Sequence, residues 1–233
     1  MKKVGVIGGV GPLATMFLGE MIVRLTDASK DQEHVHTIIN NDTTIPDRTA
    51  YVLDATAQNP IPYLQQAAQL LIDAGAELLV MPCNTAHSFY DEICRASSVP
   101  LLHMIEETVL QAKQLGAQRV GVLATDGTLT SGVYQTALAN EGMVAVEPAP
   151  AVQKAVMAMI YDKVKAGQCV TYAQWQPIEQ AMQDAGCDYI ILGCTELSII
   201  NRDLQLSKQY IDSLVVLAIN AIKASGYKVR EMH

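Results

Sequence analysis

The stretch DAGAELLVMPCNT, Asp73 to Thr85, returns as DAGCDYIILGCTE, Asp184 to Glu196, with every position shifted by 111. In both copies an Asp-Ala-Gly signal for a helix end is followed by a four-residue apolar run and then, after one spacer, by a cysteine. Glycine just past the last helical turn supplies a left-handed C-cap. A short apolar run between such breakers reads as a strand buried on both faces. Each unit is therefore helix, parallel strand, cysteine. A single duplicated unit accounts for both, with Cys83 and Cys194 in equivalent places.

A second echo supports the duplication: Val4-Gly5-Val6-Ile7 ahead of Gly8-Gly9 resembles Val120-Gly121-Val122-Leu123 ahead of Ala124-Thr125, at an offset of 116. A loop insertion absorbs the difference between the two offsets. Short β-branched runs alternating with helical patterns signal strand-helix-strand units. Strands are expected near residues 3–8, 35–40, 77–82, 100–102, 119–124, 143–147 and 188–193. Helices are expected over 12–28, 60–75, 87–96, 104–115, 130–140, 150–166, 171–186 and 208–225. The fold class is α/β, with two similar parallel-sheet domains related by a pseudo-twofold axis. The first comprises residues 1–103 plus 208–233 and carries Cys83; the second comprises 104–207 and carries Cys194. The final helix has no counterpart in the first half and is expected to fold back onto it, leaving a polar tail after Gly226. Ligands of parallel sheets gather beyond the carboxyl ends of the strands, so both cysteines belong in a cleft between the domains.

Of 233 residues, 50% are hydrophobic and 17% charged, with a formal net charge of -8. That composition supplies a proper core. The acidic balance argues against nucleic acid or an anionic membrane as partner, since both select basic patches. No run approaches the roughly 20 apolar residues of a membrane helix. The opening MKKVGVIGG is short, glycine-broken and followed by Pro12 and Glu20, which reads as a first strand rather than a secretion signal. Five cysteines with no CxxC pair and no Cys/His cluster point to reduced thiols in a cytoplasmic protein, without a metal site.

A thiol at a helix N-terminus meets unpaired backbone N–H groups and the positive end of the helix dipole, which favour the thiolate. Cys83 and Cys194 are thus candidates for an acid–base pair, against the alternative of two small buried residues ending strands. Cys94, Cys169 and Cys187 lack that context. Asn84 and Thr85 follow Cys83, and Thr195, Glu196 and Ser198 follow Cys194; their side chains and amides suit a carboxylate. The threonines equally suit ordinary helix caps, and Glu196 either caps or orients a neighbour. His87, one turn past Cys83, either tunes that thiol or is structural. Gly9, Gly11 and Ala14 satisfy GxGxxA after a strand, but Pro12 and an acid about 30 rather than ~20 residues on speak against a dinucleotide. The glycines instead let a small ligand approach the backbone. Arg48, in the loop TTIPDRT, either clamps a carboxylate with two parallel hydrogen bonds or faces solvent beside Asp47 or Asp42. Tyr161 and Lys165, four apart on one helix, share a face and offer a cation from the second half.

Taken together, GGVGPLAT (8–15), IPDRT (45–49), PCNTAH (82–87), LATDGT (123–128), IYDKVKAG (160–167) and LGCTELS (192–198) resemble the aspartate/glutamate racemase superfamily. Within it, the chain looks most like the cofactor-independent aspartate racemases, over essentially its whole length. The resemblance implies two α/β domains with the active site between them, a homodimer, no pyridoxal phosphate, and a small dicarboxylic amino acid, aspartate, as substrate. It marks Cys83 and Cys194 as catalytic acid and base. Arg48 and Lys165 match positions that hold the side-chain carboxylate, and Asn84, Thr85, Thr125 and Thr195 those that hold the amino acid backbone. Gly9, Tyr161 and Glu196 stand in support. Val10 replaces the methionine common in GGMGP, in a region used mainly through its backbone.

Having both cysteines separates the chain from decarboxylase relatives, which keep only the second, and from broad-specificity racemases with threonine at the first. GGVGP in place of a DSGVGG-like opening tilts the reading toward aspartate over glutamate. The chemistry explains the pair: inverting an α-carbon takes a proton from one face and delivers another to the opposite face, so two groups must flank it. Three other readings stay open: a glutamate or broad-specificity racemase, a maleate-type cis-trans isomerase using one cysteine as nucleophile, and a non-catalytic binding protein for acidic amino acids.

Overall fold

The computed structural model describes residues 1–231, which form seven strands in two parallel sheets. Strands β1 Val4–Gly8, β2 Thr37–Asn41 and β3 Leu78–Val80 lie in the order β2-β1-β3. Strands β4 Arg119–Ala124, β5 Val144–Val146, β6 Tyr189–Gly193 and β7 Tyr210–Asp212 lie in the order β5-β4-β6-β7. Without β7 the two orders coincide, so the topology repeats as the sequence does. The helices are α1 Pro12–Leu25, α2 Arg48–Leu53, α3 Ile61–Asp73, α4 Tyr90–Arg95, α5 Met104–Gln114, α6 Asp126–Ser131, α7 Val133–Asn140, α8 Pro150–Ala158, α9 Tyr172–Asp184, α10 Thr195–Leu204 and α11 Ser213–Ala224. None of them is long and apolar enough to cross a membrane.

Both sheets are covered on both faces, as continuous apolar strands require. In the first, Val4, Val6 and Val80 pack on Leu18 and Ile22 of α1 and Leu217 and Ala221 of α11; Ile7 and Leu79 pack on Leu64 and Leu71 of α3. In the second, Leu123, Ile190 and Leu192 meet Val156, Trp175 and Leu197, while Val120, Val122 and Ile191 meet Ile105, Val109 and Leu138. Each such buried aliphatic side chain contributes roughly 1.5–3 kcal/mol. The packed layers hold the strand ends still. Register then aligns them: Ala124 lies opposite Gly193, so Thr125 and Cys194 leave neighbouring strands side by side.

Several spans differ from the sequence-based expectation. Residues 210–212, assigned to the last helix, pair with β6 instead, because Tyr210 and Ile211 continue the buried sheet beside Ile190 and Ile191. Asp212 ends that strand and caps α11, accepting from the Leu214 and Val215 amides at 3.0 and 3.3 Å. From Ser213 the chain does return to the first sheet. The helix expected over 150–166 ends as α at Ala158 and continues as a π-helical turn, Met159–Val164, with the Lys165 amide donating to Ile160 at 3.0 Å. Strand 100–102 is reduced to a single bridge between Leu101 and Leu79. Helices α2 and α10, absent from the expected set, begin at Arg48 and Thr195 within the candidate motifs themselves. The polar tail after Gly226 is tied down, since Val229 bridges Thr26 antiparallel and the Arg230 amide donates to Leu25 at 2.7 Å. Its last two residues, 232 and 233, lie outside those described.

The β1–α1 turn needs a missing side chain as well as a special backbone. Gly9 has φ +83°, and a methyl group there would sit 2.0 Å from the Asp42 carbonyl oxygen; Gly116 has φ +78° with open space around it. Gly116→Ala is expected to cost about 1–2 kcal/mol for the left-handed conformation, and Gly9→Ala on the order of 3 kcal/mol or more because overpacking adds to it. Urea unfolding measures both; equal losses would mean that this turn is not pressed against the end of β2.

Candidate active site

The local sequence explains how each cysteine is presented. β3 ends at Val80 and Cys83 follows Pro82; β6 ends at Gly193 and Cys194 takes the N-cap position of α10. Each is only 7% exposed. Both line one cavity, together with Val10, Asp47, Arg48, Thr49, Asn84 and Thr85 from the first half and Thr125, Tyr161, Lys165, Thr195 and Glu196 from the second. Among the catalytic, binding and supporting candidates only Gly9 lies outside it. Gly9 lines an adjoining chamber of about 200 Å³, which shares Arg48, Lys165 and Glu196 with the first cavity. The cysteine cavity itself holds about 20 Å³ of free space, room for one water-sized group.

Arg48 opens α2 and is buried, not solvent-facing, at 9% exposure. Its Nη1 donates to the carbonyls of Ile45 and Pro46 at 3.2 and 2.9 Å, while its Nε has no partner. Among the described residues it forms no ion pair with Asp47 or Asp42; Asp47 instead caps α2, accepting from the Ala50 amide at 2.8 Å. Burial works against the guanidinium charge, but Cys83 beside it, with Asp47 and Glu196 further off, more than offsets that and raises its pKa. Lys165 leaves the π-helical turn with its stem exposed and its ammonium group 4.0 Å above the centroid of the Tyr161 ring. Its pKa is likewise raised: burial opposes the charge, and Glu196, Cys194, Tyr161 and Asp47 outweigh it.

Cys194 departs from the expectation for a thiol at a helix N-terminus. Its Sγ donates to Glu196 Oε2 at 3.0 Å, and Thr195 Oγ1 donates to the same oxygen at 3.4 Å. Burial first, and then the adjacent carboxylate, push the Cys194 pKa well up; Lys165 and the Glu196 backbone N–H pull the other way without prevailing. The helix dipole acts in the expected sense but is outweighed. A carboxylate at this distance and a dry setting count for more than partial charges at a helix end.

The threonines divide. Thr125 caps α6, accepting from the Thr128 amide at 3.2 Å. Thr85 caps nothing: its hydroxyl is hydrogen-bonded with those of Thr125 at 3.0 Å and Thr128 at 2.8 Å, and Thr49 donates to Thr125 at 3.2 Å. Asn84 is tied to the second half by its Oδ1, which accepts from Tyr134 at 2.6 Å, while its Nδ2 donates to Ser213 at the start of α11 at 3.2 Å. Thr49, Thr128, Tyr134 and Ser213 were not among the sequence candidates. Thr49 and Thr128 lie inside the quoted motifs, which was the available signal; Tyr134 and Ser213 carry none. His87 is structural. Its Nε2 accepts from the Met104 amide at 3.1 Å, so its Nδ1 carries the proton and donates to the Cys83 carbonyl at 2.8 Å.

The same fold occurs in known proteins. Residues 7–221 match the family model described as Asp/Glu/Hydantoin racemase. The chain is 30% identical over 230 residues to the broad specificity amino-acid racemase RacX of Bacillus subtilis (strain 168), covering 94% of this chain and 96% of that one. The structure of Picrophilus torridus aspartate racemase superposes with a TM-score of 0.85 at 31% identity, over 99% of this chain and 96% of that one. A glutamate racemase of Aquifex aeolicus (strain VF5) is 31% identical over 147 residues, 61% of this chain and 55% of that one. The chain belongs to the Asp/Glu/Hydantoin racemase family, whose members include amino acid racemases, and its two parallel-sheet α/β domains are the fold of that family.

The electrostatics of the site generate two expectations. Burial above all holds the His87 pKa down at about 4, although its bond to the Cys83 carbonyl favours the charge. The unfolded chain takes up this proton near pH 6.5 and the folded one does not, so the stability involved is complete above pH 6.5 and is lost as pH falls toward 4. At 1.36 kcal/mol per pH unit the loss reaches about 3 kcal/mol. Denaturant unfolding of wild type and His87→Gln between pH 7.5 and 4 measures it, and identical pH slopes would remove the assignment. Separately, Glu196→Gln is expected to speed iodoacetamide alkylation of Cys194 several-fold at pH 8, since one of two causes holding the thiol protonated is gone. Peptide mass spectrometry reads the rate; no change would mean that burial alone sets this thiol.

Proposed function

We propose that this protein is an aspartate racemase that works through Cys83 and Cys194 without an added cofactor. The observation that carries the reading is the convergence of these two buried cysteines, one from each sheet, on one cavity that also holds a buried guanidinium with a free Nε. Aspartate offers what those groups select. Its side-chain carboxylate suits Arg48 and Lys165, and its α-carbon is placed between the sulfurs.

In this mechanism one sulfur removes the α-hydrogen and the other returns a proton to the opposite face. The electron pair left by the C–H bond passes into the α-carboxylate, and the developing charge is met by hydroxyls and by amides at the start of α10. Preorganised donors of this kind are commonly the largest single contribution to rate. Cys194 holds its proton toward Glu196 at 3.0 Å. The sulfur that donates in one turnover accepts in the next. The likeness to RacX supports a second reading, a racemase acting on amino acids beyond aspartate.

Incubating the purified protein with L-aspartate in deuterated water, without cofactor, tests the reading by chiral chromatography and mass spectrometry. Early D-aspartate is expected to carry deuterium at Cα while the remaining L-aspartate stays protiated. Cys83→Ala and Cys194→Ala are each expected to lower the rate by about 100-fold or more, the usual scale for losing an acid or base. Binding without inversion would make this a binding protein. A single variant keeping a tenth of the activity, or protium carried into early D-product, would overturn the two-thiol mechanism.

A further inference from the structure

Tyr134, the second residue of α7, is fully buried and touches the turns that present both cysteines. Its phenol donates at 2.6 Å to Oδ1 of Asn84, the residue after Cys83. Its ring lies against the backbone of Gly193, the residue before Cys194, so closely that a methyl group on Gly193 would stand 3.0 Å from Tyr134 Cε2. One aromatic ring thus fills the gap between the two cysteine turns, although Tyr134 does not itself line the cavity that holds the thiols.

The hydrogen bonds around Asn84 run in one direction. The Leu192 carbonyl accepts and cannot donate, so the Ser213 hydroxyl gives its proton to that bond, at 2.7 Å. Ser213 then accepts from Asn84, which turns its amide nitrogen toward Ser213 at 3.2 Å and its oxygen toward the Tyr134 phenol. An inverted amide would set its oxygen against a hydroxyl whose proton is already committed. At 2% exposure that loss would go uncompensated. One Nδ2 hydrogen remains beyond the bond to Ser213, and Asn84 lines the cysteine cavity. The chain of bonds therefore fixes Asn84 as a donor toward that cavity.

We propose that Tyr134 is a positioning residue of the inversion reaction: its phenol holds the Asn84 amide so that the free N–H faces an oxygen of the substrate α-carboxylate, and its ring sets the spacing of the turns that carry Cys83 and Cys194. The proposal rests on the racemase reading. When the α-hydrogen leaves, its electron pair passes into the α-carboxylate, whose oxygens gain charge. A donor already aimed at them stabilises that state more than the ground state. Loss of the phenol therefore falls on turnover rather than on substrate binding. Tyr134 moves no proton of the substrate; its phenol acts through Asn84.

Steady-state kinetics on L-aspartate with the full-length protein, read by chiral chromatography, test this. Tyr134→Phe keeps the ring against Gly193 and deletes only the phenol oxygen. It is expected to lower kcat by about fivefold or more while KM changes less than about threefold, the mark of an interaction made in the transition state. In an Asn84→Ala background the same change is expected to alter kcat less than about twofold, because the amide it acts through is gone. Tyr210→Phe is the comparison: it too deletes a buried phenol, one bonded to Trp175 at 3.2 Å and Glu179 at 3.3 Å at the start of β7, and kcat is expected to stay as in wild type. A smaller loss of kcat in Tyr134→Phe, a loss carried by KM, additive losses in the double variant, or an equal loss in Tyr210→Phe would overturn the proposal. Proton–nitrogen correlation NMR of wild type requires no variant to fold and no turnover. One proton of the Asn84 side-chain amide is expected to shift when L-aspartate is added while the other, held by Ser213, stays in place; any other pattern would overturn the proposal. That pattern without inversion of aspartate leaves the placement of Asn84 standing and removes the racemase, and inversion with Tyr134→Phe as fast as wild type does the reverse.

Discussion

Three buried hydroxyls, those of Thr85, Thr125 and Thr128, stand 2.8 to 3.1 Å apart in a closed triangle, with Thr49 bonded to one corner at 3.2 Å. Thr49 and Thr85 come from the first half and the others from the second, so the triangle sets how the halves meet. Asn84, Tyr134 and Ser213 make a second tie, which continues from Ser213 to the Leu192 carbonyl at 2.7 Å. Each bond adds only about 0.5–1.5 kcal/mol net, but stranding one buried partner costs about 1–3 kcal/mol. The cavity between the cysteines therefore has a defined shape rather than a range of shapes. Gly127 completes the fit: a methyl group there would fall 2.8 Å from Thr49 Cα, so the backbones of α2 and α6 touch.

Once α2 is docked, its first residue becomes the buried cation. Arg48 is held by carbonyls of its own loop, which leaves part of the guanidinium uncommitted. Lys165 arrives from the opposite half just past the π-helical turn, with its ammonium over Tyr161. Glu196 balances part of this charge, and it stabilises the ionised state of both cations against burial. A chain with net charge -8 thus brings two cations, Arg48 and Lys165, together with Asp47 and Glu196 around one cavity.

The parts of this arrangement visible in the sequence are those that obey a local period. Strands β1, β3, β4 and β6 were legible because both faces are buried and their runs are uninterrupted, and the cysteines were legible because a duplication displays them twice. Helix α2 has six residues, too few for a periodic signal, and β7 has three, which the apolar pattern of α11 absorbed. The ties between halves were illegible for a different reason. Tyr134 lies 50 residues from Asn84 and Ser213 lies 129 away, separations at which no spacing rule operates. The direction of the Cys194 shift was hidden as well, since the helix start is written in the sequence but the burial of the thiol and the turn of Glu196 toward it are products of packing.

Duplication also explains why the two thiols are unequal. The copies kept the cysteine and diverged in the residues after it, so that Asn84 and Thr85 stand where Thr195 and Glu196 stand in the other unit. The second position after the cysteine thereby differs most: a hydroxyl engaged with other hydroxyls on one side, a carboxylate bonded to the thiol on the other. Two identical surroundings would give both sulfurs the same proton affinity and leave no preference for where one shared proton rests. Glu196 on one side and Arg48 on the other break the symmetry, placing a negative charge beside Cys194 and a positive one beside Cys83. The burial of Cys194 and the carboxylate bonded to it together keep the proton on that sulfur.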